Sequence, residues 1–106
     1  MLSNYNGELW PAPVQRDLEE FVASGGGLVI VHAANNAFAD WTEFNKMIGL
    51  GWRGPQFGER LTIDDAGKVA RTEKGAGPGA GHGSQHEYTV VARDREHPVM
   101  KGLPAE

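Results

Sequence analysis

Apolar residues recur at Val14, Leu18, Phe21 and Val22, the spacing of one helical face, while Arg16, Asp17, Glu19 and Glu20 occupy the other. The pattern predicts a helix from about Pro13 to Ala23. Pro13 suits the first turn, where its missing N–H is no loss, and Ser24 with Gly25-Gly26-Gly27 supplies a left-handed exit that glycine takes at little cost. Leu28-Val29-Ile30-Val31 is then a continuous, β-branched apolar run, which predicts a strand buried on both faces and hence a parallel strand of an α/β sheet. Met1-Leu2 reads as the tail of another buried strand, followed by the polar loop Ser3-Asn4-Tyr5-Asn6-Gly7.

A second helix is predicted with Asp40 as N-cap and Glu43 at the capping-box spacing, carrying Trp41, Phe44 and Ile48 inward and stopping at Gly49. From Leu50 to Gly58 periodicity fades, and Trp52, Arg53 and Phe57 give the composition of an ordered functional loop. Arg60 to Asp64 alternates with period two, Asp65-Ala66-Gly67 is a turn, and Lys68 to Arg71 returns as a hairpin strand. Gly75 to Gly83 places glycine at alternate positions and reads as a loop, Glu87 to Ala92 as the last strand, and Arg93 to Pro98 as a charged turn. Gly102 and Pro104 argue against a further helix.

The length of 106 residues admits one small domain, here residues 1–106. A net charge of −4 with no basic tract argues against nucleic acid as a partner. The longest apolar run, Leu28 to Val31, is far below the ~20 residues that a membrane span requires, and no targeting signal opens the chain, so the cytoplasm is the expected compartment. The absence of Cys removes disulfides, thiolate metal sites and cysteine nucleophiles, so chemistry falls to His, carboxylates, hydroxyls or a bound cofactor. Fifteen glycines and six prolines ask the backbone for many tight turns.

In open α/β sheets ligands bind outside the carboxyl ends of the strands, and His32 stands there, directly after Val31. It is a candidate general acid or base, or an orienting group; capping the strand through a backbone carbonyl is the structural alternative. His82 and His86 lie four apart, half of a metal site if helical, but the surrounding glycines argue for a loop in which two histidines face a substrate. His86 directly precedes the predicted last strand, which would position it. His97-Pro98 reads as a turn. Gly25-Gly26-Gly27 follows a helix and opens a strand, the reverse of a phosphate-binding loop. Trp41, Phe44 and Phe57 read as core, whereas Tyr5, Trp10 and Trp52 sit in loops and could stack on a sugar ring. Arg53 is a candidate partner for an anionic group, against the alternative of an ordinary surface arginine.

Tyr5-Asn6-Gly7, Phe21-Val22 before the triple glycine, and Leu28-Val29-Ile30-Val31-His32-Ala33-Ala34 resemble the ThuA-like (trehalose-utilisation) family. Gly49 with its aromatic loop, Gly81-His82-Gly83-Ser84-Gln85-His86, His97-Pro98 and Gly102-Leu103-Pro104 extend the resemblance over nearly the whole chain. It implies a flavodoxin-like three-layer α/β/α sandwich, similar to class I glutamine amidotransferases, with His32 where those enzymes carry a cysteine nucleophile. It implies a role in sugar metabolism, with trehalose or related disaccharide derivatives as the substrate class. Without Cys, glutamine hydrolysis through a thioester is excluded for this chain.

The resemblance implies His32 and His86 as the catalytic pair. With the residues above it directs Tyr5, Asn6, Gly7, Asn35, Arg53 and His82 to the substrate, a small-molecule sugar. No cofactor is expected, with a divalent metal through His82 and His86 as the alternative. A non-catalytic binding module of the same fold is the second functional reading. Family members begin with an earlier strand and helix and continue past Gly-Leu-Pro, so the chain is expected to be truncated, and to pair with a second copy if stable alone.

Overall fold

The first helix ends in a way its sequence dictates. In the computed structural model, which describes residues 1–64, 66–92 and 94–104, α1 runs Ala12–Ala23 with Pro11 as its N-cap and Pro13 in its first turn. Gly25 takes φ 97°, its N–H meets Val22 O at 3.0 Å, and Gly26 N–H meets Phe21 O at 2.8 Å, a Schellman exit. The Phe21 ring folds over Gly26, where a Cβ would stand 2.5 Å from it. Phe21 and Val14 are therefore largely exposed, and the half-buried Leu18 and Val22 carry the inward face.

Helix α1 joins two short parallel strands, β1 (Leu2–Ser3) and β2 (Ile30–Val31), in register Leu2 to Ile30 and Ser3 to Val31. The result is one β–α–β unit. The ladder is shorter than the apolar run, and only one face is covered: Leu28 and Ile30 are half-buried, whereas Val29 and Val31 are exposed. This corrects the expectation of a strand buried on both faces, because no second layer covers that side among the described residues.

Beyond β2 the chain makes a 3-10 turn, His32–Asn36, and then α2, Thr42–Ile48, which stops at Gly49 with φ 71°. Trp41, not Asp40, is the N-cap, and no side chain caps the helix. The buried Trp41 indole is fixed by its Nε1–H donating to Glu19 Oε1 at 2.6 Å, and Asn45 reaches back to satisfy the carbonyls of Ala39 and Trp41 at 2.9 and 2.8 Å. Asp40 is left exposed.

The core is aromatic. Phe44 is fully buried, and Phe38 and Trp41 nearly so. Phe38 packs edge-on to Phe44 at 5.0 Å between ring centres and to Trp10 at 5.1 Å, while Tyr5 stands 5.3 Å from Phe38. Tyr5 and Trp10 are thus drawn from their loop into the cluster, which holds Phe38 in a left-handed conformation with φ 55°.

The predicted hairpin forms as β3 (Arg60–Ile63) and β4 (Val69–Thr72), antiparallel. Asp64 Oδ1 accepts from Ala66 N–H and Lys68 N–H, and Gly67 takes φ 79°. Asp65 and Arg93, which the sequence places in turns, and residues 105–106 lie outside the described residues. Residues 87–92 pair with no strand among the described residues, and Tyr88, Val90 and Val91 stand exposed. A β pattern needs a neighbouring strand to become a ladder, and none of the described residues supplies one. His97 Nδ1 accepts from Val99 N–H and caps a 3-10 turn, Pro98–Met100. No helix among the described residues is long and apolar enough to cross a membrane.

Candidate functional site

Parallel pairing of β1 and β2 brings their carboxyl ends side by side, although 28 residues separate Asn4 from His32. Each is the first residue beyond its strand, and each is left-handed, with φ 52° at Asn4 and 51° at His32. Left-handed backbone costs a residue with a Cβ roughly 1–2 kcal/mol. The two strained residues meet side chain to side chain, His32 Nδ1 lying 2.7 Å from Asn4 Oδ1. An amide oxygen only accepts, so Nδ1 carries the hydrogen and the Nε2 lone pair is left to act on something else. The imidazole is exposed, and no carboxylate hydrogen-bonds to it among the described residues. Asn4 was legible only as part of a polar loop; its partner is set by strand pairing.

Tyr5, Asn6 and Gly7 follow β1 immediately. The Tyr5 hydroxyl donates to Glu8 O at 2.9 Å and lies over Gly7, where a Cβ would stand 2.7 Å from it. A side chain at position 7 would push the tyrosine ring aside, and Asn6 is left exposed. Asn35, in the turn after His32, lends its carbonyl to Arg53 at 2.7 Å and to Trp52 N–H at 3.2 Å.

Arg53 is the joint of this region. Its Nε–H and one Nη2 hydrogen donate to Asn45 Oδ1 at 3.0 and 2.6 Å, its Nη1 to Asn35 O and Trp52 O at 2.7 and 3.0 Å, and its Nη2 to Ala37 O at 2.9 Å. All five N–H groups therefore have protein acceptors. Burial pushes the guanidinium below its ordinary pKa, since desolvation opposes its charge. Below it lies Phe57, predicted as core, whose exposed ring is 5.4 Å from the guanidinium carbon. The geometry makes Arg53 a clamp on the His32 turn.

The same residue anchors the glycine-rich loop, because Arg53 O accepts from Ala80 N–H at 2.8 Å and Pro55 O from Gly75 N–H at 2.9 Å. Gly79 is pressed against this loop so closely that a Cβ would meet Arg53 O and Gly54 Cα at 2.9 Å. Between these segments and the hairpin opens a cleft of about 430 Å³, on whose wall Trp52 stands with its ring 5.8 Å from His82.

His86 lies on the exposed segment before Tyr88, its Nδ1 2.8 Å from Ser84 O. The structure pairs His32 with Asn4 and His82 with Trp52, and it makes no hydrogen bond between His32 and His86. Among the described residues no group of three or more His, Cys, Asp or Glu is arranged to hold a metal ion.

A family model described as ThuA, trehalose utilisation, matches residues 1–106. A protein from Parabacteroides merdae ATCC 43184, whose crystal structure is described as that of a ThuA-like protein, is 47% identical with a TM-score of 0.76. The match covers 95% of this chain and 37% of that one, so the chain spans a little over a third of its solved relative. No curated protein matches significantly.

Proposed function

The chain belongs to the ThuA (trehalose utilisation) family, and from that premise we propose that it serves carbohydrate metabolism by binding a sugar, or an oxidised sugar, at the carboxyl edge of β1 and β2. The observation that carries the reading is the Asn4–His32 pair, two left-handed residues held together at 2.7 Å where parallel strands end. Left-handed residues with a side chain persist where the surrounding structure holds them, as the core holds Phe38, and they cluster at ligand sites; this edge is where α/β sheets take their ligands. The β–α–β unit of β1, α1 and β2 is a repeat from which a flavodoxin-like α/β/α sandwich is built, which supports that fold for the whole protein.

In this reading Asn4 holds the His32 tautomer and Nε2 accepts a proton from a sugar hydroxyl, or from a carbon next to a sugar ketone. Removing a proton there gives an alkoxide or enolate, the starting point of hydrolytic, eliminating or isomerising chemistry. Asn6 and Asn35 border the edge and would meet hydroxyls, while Tyr5 packs beneath them in the aromatic cluster. Gly7 lets Tyr5 fold down, and Arg53, with its donors already engaged, would position the turn rather than touch the ligand. His86 and His82 would approach from the glycine-rich segment; their role, unlike that of His32, rests on the family resemblance.

Calorimetric titration with trehalose and its 3-keto derivative, with products followed by NMR, tests the proposal. Wild type is expected to bind and turn over one of them, and His32→Ala to lose turnover while retaining its melting temperature. Turnover by His32→Ala at the wild-type rate would refute the assignment. The second reading, a binding module, draws on the absence of any carboxylate bonded to His32 among the described residues, and it predicts saturable binding without product.

A further inference from the structure

The cleft of about 430 Å³ lies off the His32 edge, yet it has the size of a small-molecule site and a built wall. Its floor is the Trp52–Gly54 strand of loop, and its far side is the glycine-rich segment, pinned by Ala80 N–H to Arg53 O at 2.8 Å. Trp41 is buried and Trp10 is packed on Phe38, whereas Trp52, its ring 5.8 Å from that of His82, is 39% exposed and lines the cleft. Across the hairpin Arg60 faces Thr72 in register, and both line the cleft together with Glu73. Neither Arg60 nor Glu73 enters an ion pair among the described residues, where Lys46 pairs with Glu43 and Arg71 with Glu59. Arg53 and Glu59 also line the cleft, but the Arg53 guanidinium is spent on its own acceptors and Glu59 on Arg71. A flat aromatic face, a hydroxyl, and two cations balanced by two carboxylates, with no excess of either sign, suit a neutral polyhydroxylated ring.

We infer that this cleft is a second saccharide subsite, in which a neutral pyranose ring stacks on Trp52 while Arg60, Thr72 and Glu73 read its hydroxyls. The inference rests on the sugar reading of the previous subsection and adds to it the place of a second ring. Arg53 joins the two places, its guanidinium on the carbonyls of Asn35 and Ala37 and its own carbonyl under Ala80. Lining by glycine serves the fit, since Gly79 leaves no room for a Cβ without displacing the wall.

The test is calorimetric titration of the intact chain with glucose and with trehalose, in wild type, Trp52→Ala and Trp52→Phe. Trp52→Ala is expected to weaken binding about tenfold, the value of a lost aromatic stacking surface, and Trp52→Phe to restore most of it. Equal affinity in wild type and Trp52→Ala would overturn the inference, as would Trp52→Phe binding no better than Trp52→Ala at an unchanged melting temperature. The failures are separable. If turnover depends on His32 but affinity ignores Trp52, the subsite falls and the edge assignment stands; if affinity depends on Trp52 but turnover survives His32→Ala, the reverse holds. If wild type binds neither sugar, both fall.

Discussion

Replacing Arg53 by lysine keeps the charge and removes the fork. The guanidinium makes five hydrogen bonds to four residues, spaced so that no single ammonium can span them. Lysine would retain about two. A hydrogen bond to a charged donor contributes roughly 1.5–3 kcal/mol when buried, and less at this half-buried site, so each lost bond is taken as about 1 kcal/mol. Three lost bonds, partly offset where water solvates the ammonium at this half-buried site, leave a destabilisation of about 2 kcal/mol. Against a total of roughly 5–15 kcal/mol this is a large fraction. Urea unfolding should show the midpoint falling by about 1 M at constant slope, and amide exchange should quicken at Trp52 and Ala80, whose N–H groups bond Asn35 O and Arg53 O. A midpoint equal to wild type, with unaltered exchange at both amides, would refute the role of Arg53 as the joint between the His32 turn and the glycine-rich loop.

Phe44→Ala removes the fully buried ring of the aromatic cluster and should cost about 3–5 kcal/mol by denaturant titration, enough to leave much of the chain unfolded at 37 °C. At position 32 the left-handed backbone inverts the usual ranking: His32→Gly should be more stable than His32→Ala by about 1 kcal/mol, read as a difference in melting temperature. Gly79→Ala must displace the loop from Arg53 O and Gly54 Cα, and limited proteolysis should then cut within residues 75–83 faster than in wild type.

Much of the local structure was legible in the residues because its causes lie within a few positions. The extent of α1, its exit through Gly25, the stop of α2 at Gly49 and the hairpin turn at Gly67 follow from φ requirements and nearby backbone bonds, whereas Asp64, expected to end the strand, instead closes the turn through its side chain. The place of His32 directly after a parallel strand was legible for the same reason. The N-cap of α2 was misplaced by one residue, because the capping-box spacing at Asp40 competes with the burial of Trp41, and burial in the aromatic cluster wins.

Tertiary structure alone decided the rest. It drew Tyr5 and Trp10 inward and left Trp52 on the cleft. It turned Phe57 out beneath a guanidinium and gave Arg53 acceptors on four residues, and it put Asn4 against His32 across 28 positions. It also left residues 87–92 without a ladder among the described residues, since a strand is completed by its neighbour and not by its own composition. Propensity and turn chemistry act over a few residues, whereas what an exposed side chain does depends on which distant segment arrives beside it.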